Sequence, residues 1–207
     1  MSRLIAYGCS YTQGAQLDDN YKLPTYPSVP SKFAWPQVLA DKLGLTCVNR
    51  AEGGSGNLEI LWKILNSEHV STDTVCIGWS HFNRDIVFDV DNTREYFKEY
   101  IRVLDNMRLF KTWLQTHSEH DVTMRTWINV HHANCFLKMQ GVKVYNLFCG
   151  FDSNVATKPE ILKIDNIIDV KFVNVDYGHD NSHPGIKSNS NLADSIYKYI
   201  TEGQAGP

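Results

Sequence analysis

The chain has 207 residues, enough for one domain with a buried core. Hydrophobic residues make up 43% and charged residues 21%, the formal net charge is -3, and no basic run suggests a nucleic-acid surface. The amino terminus is unlike a signal peptide, and no apolar stretch approaches the roughly 20 residues that span a bilayer. We therefore expect a cytoplasmic protein that binds neither nucleic acid nor membrane.

Five cysteines are spread along the chain, and no two of them have Cys-x-x-Cys spacing. Four of the five lie in apolar runs, which favours reduced, buried thiols. His131 and His132 are adjacent on a predicted helix, and no acidic residue completes a ligand set around His117 and His120. We therefore expect neither a metal nor another cofactor.

The first half of the chain alternates short apolar runs with amphipathic stretches. An apolar run over 3–7 predicts a buried strand, and 13–32 is predicted to be a loop because three prolines fall within it. A loop of this length in a compact domain is often functional. The elements predicted after it are a helix over 33–43, a strand over 46–49, a helix over 58–65 and a strand over 74–79.

The second half begins with a long helical segment. Residues 92–140 predict two helices with a break near 118–121. A strand over 142–149, a strand over 172–175, a helix over 191–200 and a tail over 202–207 follow. Because strands that alternate with helices form parallel β-α-β units, we predict a single α/β domain over 1–207. It is a three-layer α/β/α sandwich with a parallel sheet of about five strands in flavodoxin-like order.

Three polar segments follow predicted strands, where ligands of parallel sheets bind. The first runs from Gly8 to Gly14, and its glycines can hold Ser10 in a tight turn with an exposed hydroxyl. The second, 49–57, is a glycine-rich turn whose amides can bind an anion, or it is a plain helix cap. Taken singly, each segment is also explained by an ordinary turn.

The third segment, 180–184, pairs an acidic residue with a histidine. A serine nucleophile needs a base, and that base needs a carboxylate to orient it. Asp180 and His183 are spaced to hydrogen-bond within one turn, and Pro184 keeps His183 out of helical geometry. A polar loop with a capping aspartate is the alternative interpretation.

The three segments together resemble the sequence blocks of the SGNH (GDSL-like) hydrolases. Gly-x-Ser-x-Thr-x-Gly over 8–14 is similar to the first block and implies Ser10 as nucleophile. Asn-x-Ala-x-x-Gly over 49–54 is similar to the second and implies that the amides of Gly54 and Ser10 line an oxyanion hole. Asp-x-x-His-Pro over 180–184 matches the last block and implies that Asp180 and His183 complete a triad.

The third block departs from the family pattern, Gly-x-Asn-Asp. Ser80 stands where the family has an asparagine that donates to the oxyanion, and a serine reaches less far than an amide. Asn83 would substitute if the loop curls back. Loss of one oxyanion donor typically lowers turnover about 100- to 1000-fold.

Three residues beside these segments are candidates for a substrate rim, namely Tyr11, Trp79 and His81. The resemblance implies ester hydrolysis through an acyl-enzyme, on a small-molecule or glycan ester with a short acyl group. One alternative is a weak or inactive SGNH-like domain that binds a glycan or belongs to an assembly, and another is an O-acyltransferase with the same triad. The sequence does not indicate an oligomeric state.

Overall fold

The computed structural model describes residues 2–22, 29–82, 84–88, 100–102, 107–149, 162, 164–170 and 172–203. The helices are α1 (Ser10–Gln13), α2 (Trp35–Leu43), α3 (Asn57–Leu65), α4 (Met107–Thr116), α5 (Glu119–Met139) and α6 (Ile186–Glu202). The strands are β1 (Arg3–Gly8), β2 (Thr46–Asn49), β3 (Thr74–Trp79), β4 (Ile86–Phe88), β5 (Tyr100–Arg102) and β6 (Lys143–Phe148).

The main sheet has the order β2-β1-β3-β6, and every pairing in it is parallel. This confirms the α/β class and the flavodoxin-like order, with four strands where about five were predicted. A single bridge between Asn146 and Ile167 extends the sheet beyond β6. There the amide of Ile168 donates to Asn146 O at 2.7 Å.

The predicted strand over 172–175 is wrong. Val173 and Val175 are 60% and 55% exposed, and the amide of Val175 donates to the hydroxyl of Ser188 instead of to a strand. The two valines of that run therefore face solvent, whereas Phe172 packs against the second core, and the sheet is extended by Ile167 instead.

Helices cover both faces of the sheet, as the three-layer prediction requires. One face packs against α3 and α5, and the other packs against α2 and α6. The first core contains Ile5, Tyr7, Val75, Ile77, Val144, Ile60, Ile64, Val130 and Leu137. The second contains Leu4, Ala6, Cys76, Leu147, Trp35, Leu39, Leu192 and Ile196. Burial of each large apolar side chain contributes about 1.5–3 kcal/mol.

The segment over 92–140 differs in part from its prediction. The break is confirmed, because the Ser118 hydroxyl accepts a hydrogen bond from the amide of Asp121 and caps α5, which begins at Glu119. The helix predicted over 100–102 is wrong, since β5 pairs there with β4 in an antiparallel ladder. Tyr and Ile favour strands as well as helix cores, so their spacing was ambiguous. Residues 92–99 and 103–106 lie outside the described residues.

No helix in the part of the chain that the structure describes is long and apolar enough to cross a membrane.

Helix α6 begins earlier than predicted, at Ile186. The carboxylate of Asp176 accepts the amides of Lys187 and Ser188 at 2.9 and 2.8 Å, which caps the first turn. The predicted 13–32 loop is wrong at its first residue, Gln13, which ends α1, and its other described residues, 14–22 and 29–32, contain no helix or strand.

Candidate active site

Ser10 begins a one-turn helix directly after β1. Cys9 is the extended N-cap of α1, and Gly14 ends the helix in a left-handed conformation (φ 72°). Ser10 is 8% exposed and lies outside the carboxyl end of the central strand. The local sequence therefore places its hydroxyl at the edge of the sheet where ligands of such folds bind.

Two strand-end glycines make room for the side chain of Thr12. A Cβ built on either Gly8 or Gly78 would lie 2.2 Å from Thr12 Oγ1. Thr12 therefore packs over the ends of β1 and β3, where a larger residue would collide with it. This close packing fixes the turn that carries Ser10.

Residues 176–185 form a narrow hairpin ahead of α6. The amide of Gly178 donates to His183 O at 2.8 Å, and the amide of Gly185 donates to Asp176 O at 3.0 Å. Asn181 adopts a left-handed conformation (φ 55°) at the tip, as asparagine tolerates better than most residues. The hairpin presents Asp180 and His183 near its tip.

Asp180 accepts hydrogen bonds on both carboxylate oxygens. Oδ1 accepts the amides of Ser182 and His183, each at 3.0 Å. Oδ2 accepts the Ser182 hydroxyl at 2.8 Å and lies 2.6 Å from His183 Nδ1. Burial raises the pKa of Asp180, but these hydrogen bonds outweigh it and hold the pKa well below its usual range. Asp180 is therefore a stable anion beside the imidazole.

Contacts of Tyr11 bring the hairpin to the Ser10 turn. Its ring lies edge-on to the His183 ring, with 5.7 Å between centroids, and edge-on to Phe172 at 5.6 Å. Burial raises the pKa of Tyr11, so its phenol stays neutral near neutral pH. His183 therefore contacts the residue that directly follows Ser10 in the chain.

The glycine-rich turn after β2 lies against Ser10. A Cβ built on Gly53 would lie 3.9 Å from Ser10 Cβ, and Gly54 follows with a left-handed backbone (φ 81°). Asn49 ties this turn to α1, because its side-chain amide donates to Thr12 O at 2.9 Å. The three segments that the sequence singled out thus meet at one edge of the sheet.

Ser80 is held rigidly at the end of β3. Its amide donates to Asn57 Oδ1 at 2.7 Å, and Asn57 Nδ2 donates back to Ser80 O at 3.1 Å. Asn57 also donates to Thr126 of α5 at 3.0 Å. The Ser80 hydroxyl is fully buried and has no hydrogen-bond partner. In this conformation the hydroxyl is closed off from a substrate.

The three predicted rim residues occupy different environments. The rim assignment of Trp79 is wrong, because its side chain is fully buried in the core and donates to Asn146 Oδ1 at 3.0 Å. His81 is half-buried, and burial together with the charge of Arg84 lowers its pKa. Tyr11 contacts the proposed triad through the ring of His183. Asn83, the alternative oxyanion donor, lies outside the described residues.

Sequence reasoning missed residues that hold the site together. Asn57 and Asp176 are the main examples, together with Ser182, whose hydroxyl bonds to Asp180. The polar residue at the start of a helix was a usable signal for Asn57. All five cysteines are free thiols, and the described residues contain no group of three metal-ligating side chains.

No protein-family model and no curated protein matches the chain, so the detectable likeness is structural. A carbohydrate esterase described by divergent catalytic and non-catalytic binding functions has a TM-score of 0.60 at 13% identity, covering 98% of this chain and 66% of its own. An acetyl xylan esterase, Est2A from Butyrivibrio proteoclasticus, has a TM-score of 0.60 at 15% identity, covering 97% and 64%. TesA has a TM-score of 0.59 at 14% identity, covering 98% and 99%.

This chain therefore spans about two thirds of the length of the two carbohydrate-directed esterases, and nearly all of TesA. At identities of 13–15% the likeness concerns the fold. The activity has to be argued from the residues of this chain.

Proposed function

We propose that this chain, whose fold is that of the SGNH (GDSL-like) hydrolases, is a serine ester hydrolase. The observation that carries the proposal is the Asp180–His183 pair, 2.6 Å apart and in ring contact with the neighbour of Ser10. A carboxylate and an imidazole on one segment and a serine on another are the groups that nucleophilic acyl transfer requires.

The proposed reaction passes through an acyl-enzyme. Asp180 accepts a hydrogen bond from His183 Nδ1–H, which keeps the proton on Nδ1 and leaves Nε2 free to act as the base. Ser10 Oγ attacks the ester carbonyl while Nε2 takes its proton, and that proton then goes to the leaving alcohol. Water attacks the acyl group by the same route and releases the acid.

The oxyanion is proposed to bind backbone amides. The amides of Ser10 and Gly54 are the candidates, since the glycine turn lies against Ser10. Ser80 and Asn83 remain the candidates for a third donor. The buried Ser80 hydroxyl argues that Ser80 contributes little in this conformation.

The proposed substrate is a small-molecule or glycan ester with a short acyl group. Two similar structures are a carbohydrate esterase and an acetyl xylan esterase, which supports a glycan ester as one candidate substrate. A hydrolase and an O-acyltransferase would share the chemistry of Ser10 and differ in whether water or another hydroxyl accepts the acyl group.

A second candidate function is a binding domain with little or no turnover. The enclosed Ser80 hydroxyl favours it, because the residue at the third-block position offers no donor to a substrate. In that case Ser10, Asp180 and His183 would form part of a polar ligand pocket.

The test is hydrolysis of p-nitrophenyl acetate and butyrate, together with mass spectrometry after a fluorophosphonate probe. We expect turnover and one adduct on Ser10, both lost in Ser10→Ala. Ser195→Ala is the matched control, because Ser195 is a half-buried serine on α6 whose hydroxyl donates to Asn191 O, away from the candidate site. A folded wild-type protein with neither turnover nor adduct would support the binding domain instead.

Ser80→Ala tests the third oxyanion donor. We expect unchanged kcat and equal or higher stability, because the substitution removes a buried hydroxyl that lacks a partner. A fall of about 100-fold in kcat, measured with the same ester, would show that Ser80 does donate to the oxyanion.

A further inference from the structure

The segment that follows α1, residues 14–22, lies against the hairpin that carries Asp180 and His183. The amide of His179 donates to Gln16 O at 2.9 Å. A Cβ built on Gly178 would lie 2.7 Å from the same oxygen, so the two backbones are in close contact. Gln16 holds a left-handed conformation (φ 65°), which is uncommon for a residue other than glycine.

Side chains extend this contact. His179 Nε2 lies 2.9 Å from Asp18 Oδ1, and the His179 ring stacks on Tyr21 with 3.6 Å between centroids and 13° between planes. His179 is the residue directly before Asp180. Asp18 and Tyr21 therefore contact the hairpin at the residue next to the carboxylate of the proposed triad.

The contacts of His179 connect two segments that are far apart in the sequence. Ser10, Asp18 and Tyr21 belong to one continuous segment, while Asp180 and His183 lie far away in sequence on the hairpin. The contact of His179 with that segment therefore joins the two halves of the proposed triad. It is separate from the Tyr11–His183 ring contact, which lies on the other side of Asp180 in sequence.

The hairpin needs such support because its own framework is small. Only three backbone hydrogen bonds lie within its described residues, and an isolated two-stranded hairpin is only marginally stable in water. The hairpin and residues 16–18 line an open cavity of about 450 Å³. Catalytic groups must be held within about 0.5 Å of their working geometry.

We propose that Asp18, Tyr21 and His179 form a positioning latch that holds Asp180 and His183 at the correct distance from Ser10. The inference rests on the proposed esterase function. The latch residues touch no reacting atom, and an exposed ion pair contributes little to global stability. The latch should therefore affect turnover and local order of the hairpin more than the melting temperature.

The test compares Asp18→Ala, His179→Ala and Tyr21→Ala with the wild-type protein. We expect kcat for p-nitrophenyl acetate to fall about tenfold, since a displacement of about 1 Å can lower a rate about 100-fold, while KM changes less than about twofold. The double variant Asp18→Ala/His179→Ala should lose no more than His179→Ala alone, because that single variant already removes the contact with Asp18 as well as the stack on Tyr21.

Conservative variants and a matched control separate positioning from a general loss of structure. Tyr21→Phe keeps the stack, and Asp18→Asn keeps an acceptor for His179, so both should retain most of kcat. Asp194→Ala removes a surface ion pair of similar length, 2.7 Å to Lys42, between α2 and α6. It should leave kcat unchanged. Equal losses in Asp194→Ala and His179→Ala would overturn the latch.

Hydrogen–deuterium exchange of peptides covering 176–185 supplies a readout that does not need turnover. Exchange should accelerate in His179→Ala and Asp18→Ala and stay slow in Asp194→Ala. An inactive wild-type protein would overturn the proposed function, whereas equal exchange in the wild type and all variants would overturn the latch. The two failures are therefore distinguishable.

Discussion

At the scale of single residues, Asp180 has the most constrained environment in the site. One oxygen accepts two backbone amides and the other faces a hydroxyl and an imidazole. The first oxygen builds the turn, and the second fixes which imidazole nitrogen carries the proton. A replacement for Asp180 must therefore accept hydrogen bonds at the positions of both carboxylate oxygens.

We expect Asp180→Asn to lower kcat by about 10³- to 10⁴-fold with little change in the melting temperature. The amide oxygen would keep the two backbone bonds, so the turn would persist. The amide nitrogen would then face His183 Nδ1 as a donor, which moves the imidazole proton to Nε2. In that tautomer His183 cannot accept the proton of Ser10. Steady-state kinetics and a thermal melt check this.

Asp194→Asn is the control for that substitution, because Asp194 is an aspartate of an exposed pair on α6. It should leave both kcat and the melting temperature nearly unchanged. If Asp180→Asn turned over as fast as the wild type, the base would not be oriented by Asp180, and the triad assignment would be wrong.

At the scale of elements, the ends of β1 and β3 and the one-turn helix α1 form one packed unit. Thr12 Oγ1 sits against both strand-end glycines and lies 3.9 Å from Cys149 Sγ. Interiors at this density accommodate no additional methyl group without displacing a neighbour. The position of Ser10 therefore depends on glycine at two points in different strands.

Gly78→Ala should destabilise the protein by about 1–3 kcal/mol and lower kcat. The new Cβ would lie 2.2 Å from Thr12 Oγ1 and 3.0 Å from Cys149 Sγ, so α1 has to move. Denaturant unfolding and ester hydrolysis measure the two effects. The second substitution Thr12→Ala, made in the Gly78→Ala background, should recover part of the stability because it removes the colliding hydroxyl. No recovery would place the strain elsewhere.

At the scale of the whole molecule, local patterns predicted more than long-range pairings did. Strands β2 and β3 begin and end at the predicted residues, Thr46–Asn49 and Thr74–Trp79, because each is a short apolar run between polar turns. The order of the sheet followed from the alternation of strands and helices. The β4–β5 pairing was missed, because each strand is three residues long and leaves little local signal.

The candidate site likewise has features that local sequence patterns predicted and features that they did not. The motifs indicated three segments that do meet, although the roles of Ser10, Asp180 and His183 stay predictions. The inward position of Trp79 had a signal that was overlooked, since strand alternation puts it on the same face as Val75 and Ile77. The burial of Ser80 had none, because it depends on residues of two other helices.

The amino end of the sheet, opposite the candidate site, is held by an ion pair whose strength depends on pH. At the amino end, Arg3 Nη2 lies 2.6 Å from Asp73 Oδ2, and the Asp73 side chain is fully buried. The hydrogen bond from Arg3 is the main cause that lowers the pKa of Asp73, and the amide of Val70 assists. This pair joins the starts of β1 and β3, far from Ser10 along both strands.

Asp73→Asn should therefore destabilise the protein by about 3 kcal/mol at pH 7 without changing kcat at 25 °C, since it leaves Arg3 without its buried partner. Because the folded pKa of Asp73 is depressed, its stabilisation is present above the unfolded value near 4 and is lost as the pH falls through the folded pKa. The difference in melting temperature between the wild type and Asp73→Asn should be largest near pH 7 and should shrink below pH ~4. A difference that stayed constant down to pH ~3 would mean that the ionised pair is not its source, because protonation would then have no effect.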